Sequence, residues 1–277
     1  MTAAHDGPAE HLAAAIAAFR RRAWAAADAG TERDVRKARV AARRLRAILR
    51  LATAPEIEAL RDEIADLASA LGKLRDLDVQ VAAIEGERAS ADEPLRQVAL
   101  AAVSDVFMRE RAAARQMLAA LTVEPRFRRL GASLDELAVA LPPLEITSPA
   151  GRERQVARRH RRVRMAGDAI DSGSSPAPYH ALRIAVKRLR YTLEVVDPNP
   201  GELADLRALQ SLLGDHQDAC VAEARLHEIA RTADLDAPVR AEIERIAGER
   251  AACAVTLRAE FPARFAAVRG HARPKRR

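Results

Sequence analysis

Arg36, Arg39, Arg43, Arg46 and Arg50 recur at intervals of three and four. At about 100° per residue they fall within an arc of roughly 80° on one helix face. Opposite them stand Val35, Ala38, Ala41, Ala42, Leu45, Ile48 and Leu49, an apolar side for packing. Guanidinium forks match phosphate oxygens through paired, charge-assisted hydrogen bonds. From Arg39 to Arg50 the line extends about 16 Å at a rise of roughly 1.5 Å per residue, enough to meet several successive phosphates. Like charges at these spacings repel, and no carboxylate is interleaved to relieve them. One such helix is also what a solvated surface looks like, so repetition has to decide. A second line supplies it: His180, Arg183, Lys187 and Arg190 share an arc opposite Leu182, Ala185, Val186, Leu189 and Leu193. A third basic element places Arg154, Arg158, Arg161 and Arg162 on one side and Val156, Val163 and Ile170 on another. Arg20, Arg21 and Arg22 point in different directions and carry less weight.

Other chemistry is thin. "HEIAR" from His227 lacks the second histidine of a zinc-protease helix, and there is neither a phosphate-cradling glycine loop nor a GxSxG elbow. Asp215, His216 and Asp218 lie close together, as do Asp62, Glu63 and Asp66, which leaves magnesium bridging a phosphate chain as an open metal role. Cys220 and Cys253 form no CxxC pair and read as small core residues. The expectation is a protein with no catalytic residues, no metal site and no cofactor.

The elements that must position these side chains are helices. The 277 residues are 49% hydrophobic but only 3% aromatic, so cores are filled by Ala, Leu, Val and Ile at helical spacing. Helical periodicity is interrupted near Ala29 to Asp34, Thr53 to Glu56, Ser90 to Pro94, Pro142 to Gly151, Ser172 to Pro178, Asp197 to Gly201 and Asp234 to Pro238, which predicts about eight long helices. Ser148 before Pro149 and Asn199 before Pro200 read as helix starts, and Thr31 with Asp34 as a capping-box variant. The proline-rich stretch 142–151 sets the expected division, with halves at 1–145 and 146–277. The first ten residues do not resemble a signal peptide, and the longest apolar stretches fall short of a membrane span, which points to the cytoplasm. The formal net charge of +7 suggests an anionic partner if the charge is concentrated on a face.

The halves resemble each other. Arg39 to Arg46 reads "RVAARRLR" and Arg183 to Arg190 reads "RIAVKRLR"; downstream, "LGKLRDLDV" from Leu71 aligns with "LGDHQDACV" from Leu213. Two anchors in one order at nearly one offset indicate an internal duplication. An antiparallel hairpin could bring Asp76 and Asp218 to the base of the two lines, each holding a guanidinium, so that replacement by Ala should lower stability as well as affinity.

These residues resemble the CHAD family, the conserved histidine α-helical domain, over essentially the whole chain. The pattern His-x-x-Arg-[Val/Ile]-x-x-[Arg/Lys]-Arg-Leu-Arg is met by His180, Arg183, Ile184, Lys187, Arg188, Leu189 and Arg190. In the first half Arg39, Val40, Arg43, Arg44, Leu45 and Arg46 match, with Arg36 where the family has histidine. The element Leu-Gly-x-x-Arg-Asp is similar to Leu71, Gly72, Arg75 and Asp76, with Leu213, Gly214 and Asp218 in the second half. The resemblance implies an all-α fold of two pseudo-symmetric four-helix bundles with a basic groove between them. It also implies binding of inorganic polyphosphate without catalysis, and association with polyphosphate granules. On it the binding residues would be Arg36, Arg39, Arg43, Arg44, Arg46, Arg50, Arg158, Arg162, His180, Arg183, Lys187, Arg188 and Arg190, supported by Arg75, Asp76 and Asp218. His180 could instead be a helix-start residue hydrogen-bonded to a neighbour. Nucleic acid is the alternative polyanion, weakened by few aromatics for stacking, and is expected to bind weakly and without sequence preference; a phosphate-chain hydrolase comes third. Oligomeric state is not legible.

Overall fold

Seven of the nine helices among the described residues begin on proline. Its ring fixes φ near the helical value, and its missing N–H would have had no partner in the first turn, so proline marks a start at no cost in hydrogen bonds. The computed structural model describes residues 8–27, 30–49, 55–139, 149–171, 173–196 and 199–271, and none of these is in a strand. The fold is all-α. The helices are α1 (Pro8–Ala27), α2 (Glu32–Leu49), α3 (Pro55–Ser90), α4 (Pro94–Val123), α5 (Pro125–Val139), α6 (Pro149–Asp168), α7 (Pro176–Val196), α8 (Pro200–Thr232) and α9 (Ala237–His271). Two compact units result, Met1–Ile146 and Thr147–Arg277.

Capping fixes the starts that matter for the site. At the head of α2 the Thr31 N–H donates to Asp34 Oδ2 at 3.0 Å, while the Asp34 N–H reaches Thr31 Oγ1 at 3.3 Å. These reciprocal bonds satisfy donors the helix cannot pair itself, and the bonds from Thr31 hold the Asp34 carboxyl below its usual pKa. At the head of α8, Asn199 Oδ1 accepts from the Gly201 and Glu202 N–H groups at 3.0 and 3.2 Å. The expected cap Ser148 lies outside the described residues.

Among its described residues unit 1 has five helices, one more than the four expected. The sequence stretch from Pro94 onward reads as one long helix, but Pro125 breaks it: Glu124 takes an extended conformation at φ −62°, ψ 145°. A residue before proline is pushed out of the helical region by the ring, which is the physical reason for the break. The separated α5 folds against α1, α3 and α4, where Trp24 and Phe127 meet with ring centroids 4.3 Å apart. The rest of the unit packs in sequence order, α1 on α2, α2 on α3 and α3 on α4.

In unit 2, α6 packs on α7, α7 on α8 and α8 on α9. Its core joins Leu182, Val186, Leu189 and Leu193 of α7 to Leu206, Leu209 and Leu213 of α8 and to Phe261 and Phe265 of α9. Each fully buried Leu or Phe contributes about 1.5–3 kcal/mol relative to exposure, so these rows fix the rotation of α7. At Gly167 a β-carbon would overlap the Phe265 ring, so glycine leaves room on α6 for that ring of α9.

Candidate functional site

The apolar rows of α2 and α7 determine which way their cations face. Val35, Ala38, Ala41, Ala42, Leu45 and Leu49 are buried, and so are Leu182, Val186, Leu189 and Leu193. Arg36, Arg43 and Arg44 of α2, and His180 and Arg188 of α7, are consequently exposed, while Arg39, Arg46, Arg183, Lys187 and Arg190 are half-buried. Arg50 lies outside the described residues. Val40 and Ile184, one in each motif, remain 41% and 37% exposed beside the arginines. In each unit the motif helix packs on the helix that bears the Leu-Gly element, α2 on α3 and α7 on α8.

In unit 1 that packing compensates charge. Arg39 Nη1 donates to Asp76 Oδ1 at 2.7 Å, supplying from α3 the carboxylate that α2 lacks. Arg75 turns to Glu32 at 3.8 Å. Glu32 also meets Arg111 of α4 at 3.4 Å, and Arg111 Nε donates at 2.6 Å to Asp78, which is wholly buried. Arg43 interacts with neighbouring groups. Arg36, Arg44 and Arg46 have no hydrogen-bonding or ionic partner among the described residues.

Unit 2 places neutral groups beside His180 and Arg183. His180 Nδ1 and Gln217 Oε1 lie 3.1 Å apart, Gln217 standing where unit 1 has Arg75. The contact anchors the ring on its Nδ1 side while the residue as a whole stays exposed. Arg183 lies over Gly214, where a β-carbon would sit 3.4 Å from Nη2 and 3.6 Å from Nε. The Nε of Arg183 is buried with no hydrogen-bond partner, and among the described residues no carboxylate pairs with it. Arg190 is spent internally: it binds Gln210 at 3.0 Å and Glu194 at 2.5 Å and lies 4.4 Å from the Tyr191 ring centroid, with 14% of its side chain exposed. Lys187 and Asp218 interact with neighbouring groups, and Arg188 has no partner among the described residues.

Arg154, Arg158, Arg161 and Arg162 are exposed on α6, unpaired among the described residues, with Val163 buried and Val156 and Ile170 packed on the core. Of the acidic clusters, Asp66 accepts from Arg126 at 2.9 Å, and His216 is buried, its Nε2 3.7 Å from Cys220 Sγ. Burial pushes the His216 pKa down, with nearby Arg258 adding to the effect. Among the described residues no three His, Cys, Asp or Glu side chains are grouped to hold a metal, and no helix is long and apolar enough to cross a membrane. Sequence reasoning missed Gln217 and Gly214 as the groups that seat His180 and Arg183; the Arg75-to-Gln217 difference between the aligned elements was the available signal.

Comparison with solved structures agrees with this architecture. PptA from Streptomyces chartreusis matches with a TM-score of 0.77 at 19% identity, covering 94% of this chain and 98% of that one. The CHAD domain from the plant Ricinus communis matches with a TM-score of 0.63 at 25% identity, covering 97% and 91%. No curated protein matches the chain. The CHAD domain model matches residues 10–227, a span that takes in both motif helices and both Leu-Gly elements, and the chain therefore belongs to the CHAD domain family.

Proposed function

We propose that this protein binds inorganic polyphosphate without hydrolysing it, through the Arg, Lys and His side chains that α2 and α7 present, with the α6 arginines adding to the basic surface of unit 2. The observation that carries the reading is the repeated motif helix, whose cationic side keeps arginines without carboxylate partners among the described residues: Arg36, Arg44 and Arg46 on α2, Arg183 and Arg188 on α7. A flexible polymer of phosphates can follow such a line, releasing counterions as it binds. On this reading the protein works in the cytoplasm, on stored polyphosphate granules.

Nucleic acid is the competing polyanion. Unstacked bases need exposed aromatic platforms. Here Phe127, Tyr179, Phe261 and Phe265 are buried in cores, and Tyr191 is covered by Arg190. The test is competition at one salt concentration between long-chain polyphosphate, duplex DNA and single-stranded RNA, followed by measurement of released phosphate with and without magnesium. Polyphosphate should win and no phosphate should appear; preference for DNA or RNA, or steady release of phosphate, defeats the reading.

A further inference from the structure

The aligned arginines Arg39 and Arg183 face ligand under different conditions. Arg39 already carries a carboxylate, Asp76, at 2.7 Å, and 43% of its side chain is exposed. Arg183 has none among the described residues; its guanidinium lies against the bare backbone at Gly214 and its Nε is out of water. At Gly72, the aligned glycine of α3, nothing comes within 4 Å of where a β-carbon would be. The two glycines thus share a sequence pattern but only one serves as a seat.

We infer that Gly214 is a positioning residue that makes Arg183, rather than Arg39, the stronger phosphate contact, an inference that rests on the polyphosphate reading above. A guanidinium packed over the helix backbone with its Nε buried has less freedom left to lose when ligand arrives, so less order remains to be imposed on binding. With Nε dried, the terminal nitrogens are the donors left for a phosphate, in the paired geometry that arginine favours. No carboxylate has to be displaced. Arg39 must give up Asp76 or share its charge. The His180–Gln217 bond, one helical turn before Arg183, adds a second fixed side chain on the same face.

The spacing at Gly214 makes the idea testable by size. A single β-carbon at 3.4 Å is an ordinary contact, so Gly214→Ala should leave Arg183 in place. A longer side chain has no room, so Gly214→Leu should lift the guanidinium while leucine preserves the helix. With the full chain and long-chain polyphosphate at fixed salt, Gly214→Leu should weaken binding at least about tenfold and lower the slope of log affinity against log salt by about 0.7 to 0.9, one phosphate contact. Gly214→Ala and Gly72→Leu should stay within about twofold to threefold by the same counterion argument, with circular dichroism unchanged. Gly214→Leu binding like the parent, or Gly214→Ala as damaging as Gly214→Leu, overturns the inference. Should Gly214→Leu fail to fold, Arg183→Gln against Arg39→Gln decides, and equal losses overturn it. Failure of the unaltered protein to bind polyphosphate at all would instead overturn the functional reading.

Discussion

The α2–α3 and α7–α8 corners start from nearly the same stretch of sequence and settle their charge in opposite ways. Positions 75, 76 and 78 of α3 are Arg, Asp and Asp, and they tie α2, α3 and α4 together through Glu32 and Arg111. The aligned positions 217, 218 and 220 of α8 are Gln, Asp and Cys. Glutamine holds a histidine there, and a glycine seats an arginine. Unit 1 uses acidic side chains to knit its helices together at this corner, whereas unit 2 leaves the first motif arginine, Arg183, without a carboxylate among the described residues. Sharing a motif does not give two arginines the same work.

Four perturbations would break or sharpen that contrast. The largest effect should come from charge reversal: Arg183→Glu with Lys187→Glu should reduce polyphosphate affinity about a hundredfold or more, since each charge-assisted bond is worth about 1.5–3 kcal/mol. Arg39→Glu with Arg43→Glu should cost about tenfold, because part of that charge is already neutralised by Asp76. Equal losses in a titration of both double mutants would erase the distinction between the corners.

Next is Asp78→Ala, which removes the buried carboxylate and leaves Arg111 only Glu32, and should lower unfolding stability by about 1.5–3 kcal/mol, the worth of a charge-assisted bond, in a urea titration. Cys220→Ala, at the aligned position of unit 2, should cost less than about 1 kcal/mol, because no ion pair depends on it.

Acidification comes third. Burial pushes the pKa of His216 and of His160 below the ordinary 6.5, with Glu202 partly opposing the shift at His160. A histidine with a depressed pKa binds fewer protons folded than unfolded, so its contribution is complete above about pH 6.5 and fades as pH falls below it. Both residues belong to unit 2, so the melting temperature of that unit should drop between pH 7.5 and 5.5, and His216→Phe should flatten the drop. An unchanged slope in that variant would remove His216 from the account.

The smallest effect is expected from Asp76→Asn. The pair is largely exposed and contributes about 0.2–1 kcal/mol, so stability should barely change. Asp76 holds the Arg39 guanidinium as expected, and an ion partner at 2.7 Å also competes with phosphate for it. Affinity should rise about twofold to fivefold, the same energy read as an equilibrium. A fall in affinity would mean that Asp76 holds Arg39 in a productive pose.

Periodicity made the faces of α2 and α7 legible, because at 3.6 residues per turn a run such as Val35, Ala38, Ala42, Leu45 and Leu49 has to share one side. Proline and capping residues marked the starts of α2, α4 and α8 for local reasons that need no tertiary knowledge. The break at Pro125 was equally local and was missed, because apolar residues on both sides of Glu124 maintain a helical pattern that the ring alone interrupts. What the sequence could not reveal depends on distant pairing. Arg111 meets Asp78 and Glu32 only after α4 packs on α3, and Arg190, whose partner Glu194 lies four residues on, gains Gln210 only when α8 is placed beside α7. The seat at Gly214 is a matter of empty volume, which residue spacing does not encode.

The ring pair formed when α5 folds back gives the molecule an optical label for each of its parts. Trp24, the sole tryptophan, lies against Phe127 in unit 1, whereas both tyrosines, Tyr179 and Tyr191, belong to unit 2. Indole emission therefore reports the melting of the first unit and phenol absorbance that of the second, so one unlabelled sample shows whether the two units unfold together or in turn.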